Sequence, residues 1–200
     1  MKRLTEENKN TALAFDRLFS HRGNPDWFER RRFRNLLRYF RGGTLVDVGC
    51  LDSLVTPWAK KRYPQATVWG LDISPVAVSG MTARYPQCHY RVESVYDLTF
   101  PSSSVDYVVA AELLEHLEEP GKAVEEMWRI LRPGGVLAIS TPLLEEREPG
   151  AVDRDHLWSF SFDDMKVFFP SPRRRKIKIL RSRLLPYRYS WPVIVAFAWK

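Results

Sequence analysis

Carboxylates and imidazoles are the residues of this chain best suited to proton transfer. Glu112, Glu115 and His116 stand at positions i, i+3 and i+4 of the segment ELLEH, which puts them on one face if the segment is helical. His156 follows later in the chain, and we expect it to reach the same place. Because imidazole titrates near neutral pH, Glu112, His116 and His156 are candidate catalytic groups, with a histidine as general base.

The same side chains are also a candidate ligand set for a metal ion. The two carboxylates and two imidazoles of Glu112, Glu115, His116 and His156 suit Mg²⁺, Mn²⁺ or Zn²⁺, and such an ion would lower the pKa of an acceptor hydroxyl. Each residue also has a structural alternative: a solvated Glu115, a packed or capping His116, and a loop-orienting His156. We therefore do not expect a metal, and keep the divalent ion as an alternative.

A second group of polar residues follows two buried strand patterns. TLVDV, which contains Asp47, runs into the turn Gly49-Cys50-Leu51-Asp52-Ser53, and ATVWGLD ends at Asp72. Ligands of an open parallel sheet bind beyond the carboxyl ends of its strands. There, free backbone N–H groups can meet a carboxylate, and an acidic residue can accept both hydroxyls of a ribose. These positions predict a site for a ribose-containing cofactor.

Alternating strand and helix patterns position these residues. Five short strand patterns are TLVDV, ATVWGLD, CHYRV, VDYVVAA and GGVLAIST, with helical patterns between most of them. This alternation predicts an α/β fold with a doubly wound parallel sheet. Two helical patterns, at about 5–20 and 27–41, come first, and the strand patterns KIKILRSRLL and YSWPVIVAFAW predict a final antiparallel hairpin. We expect one domain, 1–200, with an N-terminal helical cap (1–41), a cofactor-binding core (42–170) and a C-terminal β-hairpin (171–200).

The composition excludes several classes of protein. With 200 residues, 44% hydrophobic and 28% charged, the chain is neither disordered, collagen-like nor disulfide-stapled. Its longest apolar stretch, 192–199, is too short to cross a bilayer, and the first ten residues lack the apolar centre of a signal peptide. Cys50 and Cys88 give no disulfide framework and no metal-type spacing. We expect a cytoplasmic protein that does not associate with membranes.

The charge is distributed unevenly along the chain. Residues 1–41 hold 11 Lys/Arg and 5 Asp/Glu, residues 42–169 hold 11 and 19, and residues 170–200 hold 9 and none. Such basic ends could bind RNA phosphates, or could instead protect an edge strand from pairing with other molecules. The arginines of the N-terminal end also fit the solvated face of a helix: Arg30, Arg31, Arg32, Arg34, Arg38 and Arg41. A basic cluster of the C-terminal end comprises Arg173, Arg174, Arg175, Lys176, Lys178, Arg181 and Arg183.

Over roughly residues 40–170 the chain resembles the class I S-adenosylmethionine-dependent methyltransferases. LVDVGC is similar to their first motif, VWGLDIS to their second, and YDLTFPSSSVDYVVAAELLEHL and RILRPGGVLAISTP to their later ones. The resemblance implies a Rossmann-like sheet of seven strands, mostly parallel with an antiparallel last strand, and S-adenosylmethionine as cofactor. It also implies these cofactor-binding residues: Asp47, Gly49, Cys50, Leu51, Asp72, Ile73, Ser94, Val95 and Glu112. The family's acid that contacts the adenine amine falls on Ser94, so that contact could shift to Glu93.

One departure from the family pattern leaves alternatives open. Where members read GCGxG, this chain reads GCLDS, so Leu51 and Ser53 replace glycines that let the backbone approach the cofactor. The expected function is methyl transfer to oxygen or nitrogen of a small-molecule acceptor. A first alternative is a metal-assisted RNA ribose 2′-O-methyltransferase, since the small-RNA enzymes carry a similar ExxEH and a later segment like Asp155-His156. A second is a catalytically inactive cofactor-binding or partner-binding protein.

Overall fold

The computed structural model describes residues 1–5, 8–21, 26–143, 156–168, 174–180 and 192–200. The strands in the described residues are β1 (Lys2–Arg3), β2 (Thr44–Val48), β3 (Thr67–Asp72), β4 (His89–Val92), β5 (Val105–Ala111), β6 (Leu131–Pro142), β7 (Trp158–Ser159), β8 (Arg174–Leu180) and β9 (Val193–Trp199). The helices there are α1 (Ala12–His21), α2 (Trp27–Leu36), α3 (Val55–Arg62), α4 (Pro75–Arg84), α5 (Pro120–Ile130) and α6 (Asp164–Val167), with a 3₁₀ turn at Leu114–His116.

Seven of these strands form one sheet in the order β4-β3-β2-β5-β6-β9-β8. β2 to β6 run parallel, while β9 lies antiparallel to both of its neighbours, β6 and β8. This confirms the α/β class and the mostly parallel sheet with an antiparallel last strand. The chain winds outward from β2 in one direction and from β5 in the other. The strand order therefore reverses between β2 and β5, which is where a ligand site is expected.

Both faces of the sheet are covered, as the near-continuous apolar strand patterns require. On one face, Ala123, Met127 and Ile130 of α5 are fully buried. On the other face, the aromatic residue Phe40, which follows α2, packs edge-on against Tyr107 of β5 with ring centroids 5.5 Å apart. The Tyr107 hydroxyl donates to a backbone carbonyl near the end of α2, so α2 is fixed to the central strand.

The first elements differ from the sequence prediction. The helical pattern at about 5–20 becomes α1 only from Ala12, because the Thr11 hydroxyl accepts from the N–H of Ala14 at 3.2 Å and starts the helix there. Lys2 and Arg3, which precede this helix, pair with β7 in a small antiparallel sheet. The sequence patterns did not predict this pairing.

The described part of the predicted hairpin is antiparallel, with Arg175 opposite Ala198 and Leu180 opposite Val193. β8 is the edge strand, and β9 is an interior strand. Arg173, Arg181 and Arg183 of the basic cluster lie outside the described residues. Within the ranges that the structure describes, no helix has both the length and the apolar character that crossing a membrane would demand.

Candidate functional site

A cavity of about 670 Å³ opens at the carboxyl ends of β2, β3 and β5, beneath residues of α1 and α2. Its size lies within the roughly 300–1,000 Å³ typical of small-molecule sites. The structure brings nearly all the site residues expected from the sequence to its wall: Gly49, Cys50, Leu51, Asp72, Ile73, Ser94, Val95, Glu112, Glu115, His116 and His156. Residues far apart in the sequence thus share one ligand-sized space.

Asp72 fastens the end of β3 to the turn that follows β2. One carboxylate oxygen accepts from the N–H of Leu51 at 2.8 Å, and the other accepts from the N–H of Ser74 at 2.9 Å. Burial raises the pKa of this carboxyl, while the backbone N–H donors oppose the rise. Each oxygen keeps a second lone pair, so the carboxylate can still accept hydrogen bonds from a bound ribose.

The turn after β2 has fewer free N–H groups than the sequence suggested. Cys50 donates to the Leu71 carbonyl at 2.9 Å, Ser53 to the Cys50 carbonyl at 2.6 Å, and Val55 to the Ser53 hydroxyl at 3.0 Å. The Leu51 N–H is already bonded to Asp72. These four amides are therefore occupied within the protein, and a ligand carboxylate needs a different partner.

Leu51 itself adopts the backbone conformation that a glycine would favour. Its φ is +33°, a left-handed value that is strained for a branched side chain. The turn thus holds Leu51 in a backbone conformation for which glycine is the preferred residue. Leu51 also lines the cavity.

Asp47 lies behind this turn and is not among the lining residues. It is fully buried, and neither carboxylate oxygen has a hydrogen-bond partner at normal distance. Burial raises the pKa of Asp47 to about 8, the nearby Ser53 hydroxyl opposes this rise, and the charge of Asp72 adds to it. Asp47 therefore does not reach the cavity wall, and its expected cofactor role stays a prediction.

A separate end of the cavity contains the residues expected around adenine. Val95 is buried and Ile73 is 36% exposed, so the two offer apolar surface for a flat base. The carboxylate of Glu93, the suggested substitute for the missing acid, already accepts from Arg91 at 2.6 Å and from the N–H of Thr99. Glu93 thus has less free hydrogen-bonding capacity than the sequence implied.

Three of the four candidate metal ligands converge. One ligand atom from each of Glu115, His116 and His156 lies within 4.8 Å of the other two, and the two imidazole centroids are 4.7 Å apart. Glu115 is fully buried, with one oxygen accepting from the Thr141 hydroxyl at 2.9 Å and the other without a hydrogen-bond partner. Burial raises the pKa of Glu115 to about 8, and the charge of Glu112 adds to the rise.

Glu112 does not belong to this cluster, because the segment is not a regular helix. Glu112 has a φ of +52°, and only Leu114–His116 form a 3₁₀ turn. The condition for one helical face shared by Glu112, Glu115 and His116 is therefore not met. The kink after β5 turns the Glu112 carboxylate toward α2, where it meets an arginine.

That arginine, Arg32, is the residue that sequence reasoning missed. It was assigned to the solvated face of α2, yet it is 7% exposed and lines the cavity. Its guanidinium lies 3.3 Å from the Glu112 carboxylate and 3.8 Å from that of Glu29. The spacing could have indicated its burial, because Phe28, Arg32 and Leu36 are four residues apart and so share one helix face.

α1 is held over the cavity by contacts with α4. The Asp16 carboxylate accepts from the Ser74 hydroxyl and, at 3.2 Å, from the N–H of Val76. The ring of Phe19 lies against Gly80, where a Cβ would come within 2.5 Å of it. α1 is thus anchored to the helix that begins beside Asp72.

The chain is similar in sequence to known methyltransferases. A family profile described as a methyltransferase domain matches residues 46–139. A probable S-adenosylmethionine-dependent methyltransferase of Mycolicibacterium smegmatis is 33% identical over 130 residues, which cover 62% of this chain and 48% of that protein. A trans-aconitate 2-methyltransferase of Deinococcus radiodurans is 33% identical over 99 residues, 49% of this chain and 37% of that protein. The matched part thus spans less than half the length of these curated relatives.

The fold is similar to that of solved methyltransferase structures. A chain from the complex of the Haloferax volcanii Trm112 methyltransferase activator with a methyltransferase superposes with a TM-score of 0.71. The match covers 97% of this chain and 99% of that chain, at 17% sequence identity. At this level of identity the likeness concerns the fold alone.

Proposed function

Because the chain belongs to the class I S-adenosylmethionine-dependent methyltransferase family, we propose that it binds S-adenosylmethionine and transfers the methyl group to oxygen or nitrogen of a small molecule. One observation carries this proposal. The Asp72 carboxylate lies at the point where the strand order reverses, on the wall of a cavity of about 670 Å³. The family similarity and this geometry support the same site.

The residues present fit the cofactor. Asp72 would hold the ribose hydroxyls, Ile73 and Val95 would contact the adenine, and Gly49 and Glu112 would face the amino-acid end. When bound, S-adenosylmethionine supplies a methyl group activated by its positive sulfur. Besides the buried Glu115, seven acidic side chains line the cavity, and their negative charge suits a cationic cofactor: Asp26, Glu29, Asp52, Asp72, Glu93, Glu112 and Glu118.

His116 and His156 are the proposed bases. Methyl transfer requires mainly that the two reactants are positioned, so a group that accepts the acceptor's proton is enough. Both imidazoles line the same cavity, and the buried Glu115 lies beside them. The Glu115 carboxyl interacts with the imidazole of His156, so Glu115 would help to orient the base. Glu112, at the kink, would contact the cofactor or the acceptor.

A metal-assisted version of the same reaction is the second candidate. The convergence of Glu115, His116 and His156 within 4.8 Å favours it, because carboxylate and imidazole together bind divalent transition metals. Treatment with a chelator separates the two mechanisms. We expect turnover to survive it, whereas loss of turnover that added Mn²⁺ restores would show that the cluster binds metal.

The comparisons favour a small-molecule acceptor over the RNA alternative. Trans-aconitate, named for one relative, is a small organic acid, and the comparisons do not support RNA as the acceptor. The inactive alternative depends on whether Leu51 blocks the cofactor. Leu51, Asp72 and Ser94 line one cavity, which argues against such a block.

Calorimetry with S-adenosylmethionine and S-adenosylhomocysteine tests the proposal. We expect one binding site per chain, and a loss of about tenfold to a hundredfold in affinity for Asp72→Asn, since a charged hydrogen-bond acceptor is lost. Asp97→Asn, at an exposed position outside the cavity wall, is the matched control and should bind normally. If the folded wild-type protein binds neither compound, the proposal is wrong.

A further inference from the structure

Arg32 and Glu112 form an ion pair inside the cavity that is incompletely satisfied. A single guanidinium nitrogen of Arg32 approaches a single oxygen of Glu112, at 3.3 Å. The Nε of Arg32 and the other oxygen of Glu112 are buried and have no hydrogen-bond partner. Buried polar groups of this kind are normally paired. Each member of the pair therefore retains capacity for one more polar contact.

Arg32 is the strongest positive charge in the described part of the cavity wall. Of the described residues in that wall, Arg32 is the single Lys or Arg. In the turn before α3 and at its first residue, the N–H groups of Cys50, Leu51, Ser53 and Val55 donate within the protein. A ligand carboxylate that enters this acidic space is therefore drawn to Arg32.

The backbone holds Glu112 in place at a cost. Its φ of +52° is unusual for a residue with a long side chain, and its N–H is fixed to the Ser140 carbonyl at 2.9 Å. Strain of this kind persists where the surrounding structure maintains it, and it often marks a functional position. Here the kink points a carboxylate at the Arg32 guanidinium, and both residues line the cavity.

We propose that Arg32 and Glu112 together bind the zwitterionic amino-acid end of the methyl donor, Arg32 through its carboxylate and Glu112 through its ammonium group. This inference rests on the proposed function. An α-amino acid carries both charges on one carbon, so it matches an arginine and a glutamate that lie side by side. The ion pair holds both side chains ready, and the ligand supplies the hydrogen bonds that each lacks. Arg32 is then a cofactor-binding residue contributed by α2, outside the strand-turn segments that carry the family motifs.

Ligands that differ only at the amino-acid end test this with the wild-type protein. S-adenosylhomocysteine has both charges, its decarboxylated analogue S-adenosyl-3-thiopropylamine keeps only the ammonium group, and 5′-methylthioadenosine has neither. We expect calorimetry to show an affinity loss of about tenfold or more when the carboxylate is removed, with 5′-methylthioadenosine binding still more weakly. Equal affinity for all three compounds would overturn the inference and leave the proposed function standing.

Variants locate the effect. Arg32→Gln should lower the affinity for S-adenosylhomocysteine by about tenfold to a hundredfold and change that for S-adenosyl-3-thiopropylamine and 5′-methylthioadenosine by less than about threefold. Arg32→Lys, which keeps the charge but not the planar fork, should fall between wild type and Arg32→Gln. Arg34→Gln, exposed on the same helix, is the control and should match wild type.

The outcomes distinguish a failure of this inference from a failure of the proposed function. If Arg32→Gln weakens all three ligands equally, or none of them, Arg32 does not bind the carboxylate. If that variant fails to fold, the comparison of Arg32→Lys with the wild-type protein still decides. Failure of the wild-type protein to bind even 5′-methylthioadenosine would instead remove the proposed function, and with it the premise of this inference.

Discussion

Asp47 and Glu115 are buried carboxyl groups whose charge the fold leaves largely uncompensated. Burial raises the pKa of each to about 8, so each is protonated near neutral pH. Asp47 lies in β2, just before the turn that carries Leu51, and Glu115 lies beside the two histidines. The cost of keeping these carboxyls buried predicts how the protein responds to pH.

Asp47→Asn should reduce the pH dependence of stability. Between the unfolded pKa of 3.8 and about 8, the folded protein binds more protons than the unfolded chain, so stability falls as pH rises through this window. Asparagine does not titrate. As pH rises, the unfolding free energy of the variant should therefore fall less than that of the wild type, by a few kcal/mol at roughly 1.4 kcal/mol per pKa unit. Urea unfolding at pH 5 and pH 9 measures this. An equal loss of unfolding free energy between pH 5 and pH 9 in wild type and variant would contradict this prediction.

Leu51→Gly tests whether the departure from the glycine-rich turn matters for the cofactor. Glycine tolerates the φ of +33° without strain, but it gains entropy in the unfolded chain, so we expect stability to change by no more than about 1 kcal/mol. The affinity for S-adenosylhomocysteine should be kept or increased, as measured by calorimetry. If the variant binds while the wild-type protein does not, Leu51 blocks the site.

The sequence located the site residues unevenly. Gly49 and Asp72 were predictable because they stand at the carboxyl ends of strand patterns, where the ligands of a parallel sheet bind. Arg32 was not, because in a run of five arginines within nine positions its apolar-face spacing is easily overlooked. Glu112 points away from Glu115 because its φ is positive. The pattern of side chains in the sequence does not predict that backbone conformation.

Among the elements, strands and helices with strong periodicity were predicted well. VDYVVAA coincides with β5, TLVDV with β2, and the Ser74 N-cap with the start of α4. The 3₁₀ turn after β5 and the short pairing of β1 with β7 could not be predicted. Both depend on long-range contacts, such as the Leu157 N–H donating to the Glu115 carbonyl at 2.6 Å, rather than on local preference.

Gly70→Ala should loosen the contact between β3 and the turn after β2. An added Cβ would come within 2.5 Å of the Tyr90 ring and 3.0 Å of the Cys50 sulfur. The Tyr90 hydroxyl is held by a 2.6 Å hydrogen bond to Thr56, which hinders the ring from moving away. We expect a loss of about 1–3 kcal/mol in the free energy of unfolding and weaker binding of S-adenosylhomocysteine.

The matched control for this prediction is Gly121→Ala. A Cβ at Gly121 meets nothing within 4 Å, and alanine favours the helix, so stability should stay the same or rise by up to about 1 kcal/mol. Equal unfolding free energies for the two alanine variants would show that Gly70 is not tightly packed.

Asp16→Ala should release α1 from α4. The variant loses the acceptor for the Ser74 hydroxyl and the Val76 N–H, which we expect to cost about 0.5–2 kcal/mol. Because Phe15 and Leu18 of α1 line the cavity, cofactor affinity should fall as well. Ser20→Ala, whose hydroxyl bonds back within α1, is the control. Unchanged affinity in Asp16→Ala would mean that α1 does not cover the bound ligand.

At the scale of the whole molecule, the uneven charge of the chain becomes a spatial arrangement. The acidic middle of the sequence supplies most of the carboxylates in the cavity wall. The basic ends meet elsewhere: Lys178 of β8 contacts Asn35, the residue before the last of α2, and burial followed by the charges of Arg38 and Arg31 lowers the pKa of Lys178. The sequence showed the asymmetry, but only the fold shows that the two ends are neighbours.

A crystal structure with S-adenosylhomocysteine bound tests the central claim most directly. We expect the ribose hydroxyls on the Asp72 carboxylate, the adenine between Ile73 and Val95, and the sulfur directed toward the space beside His116 and His156. An adenosyl group found outside this cavity, or a Leu51 side chain that fills the ribose position in a protein that does not bind the compound, would contradict the account.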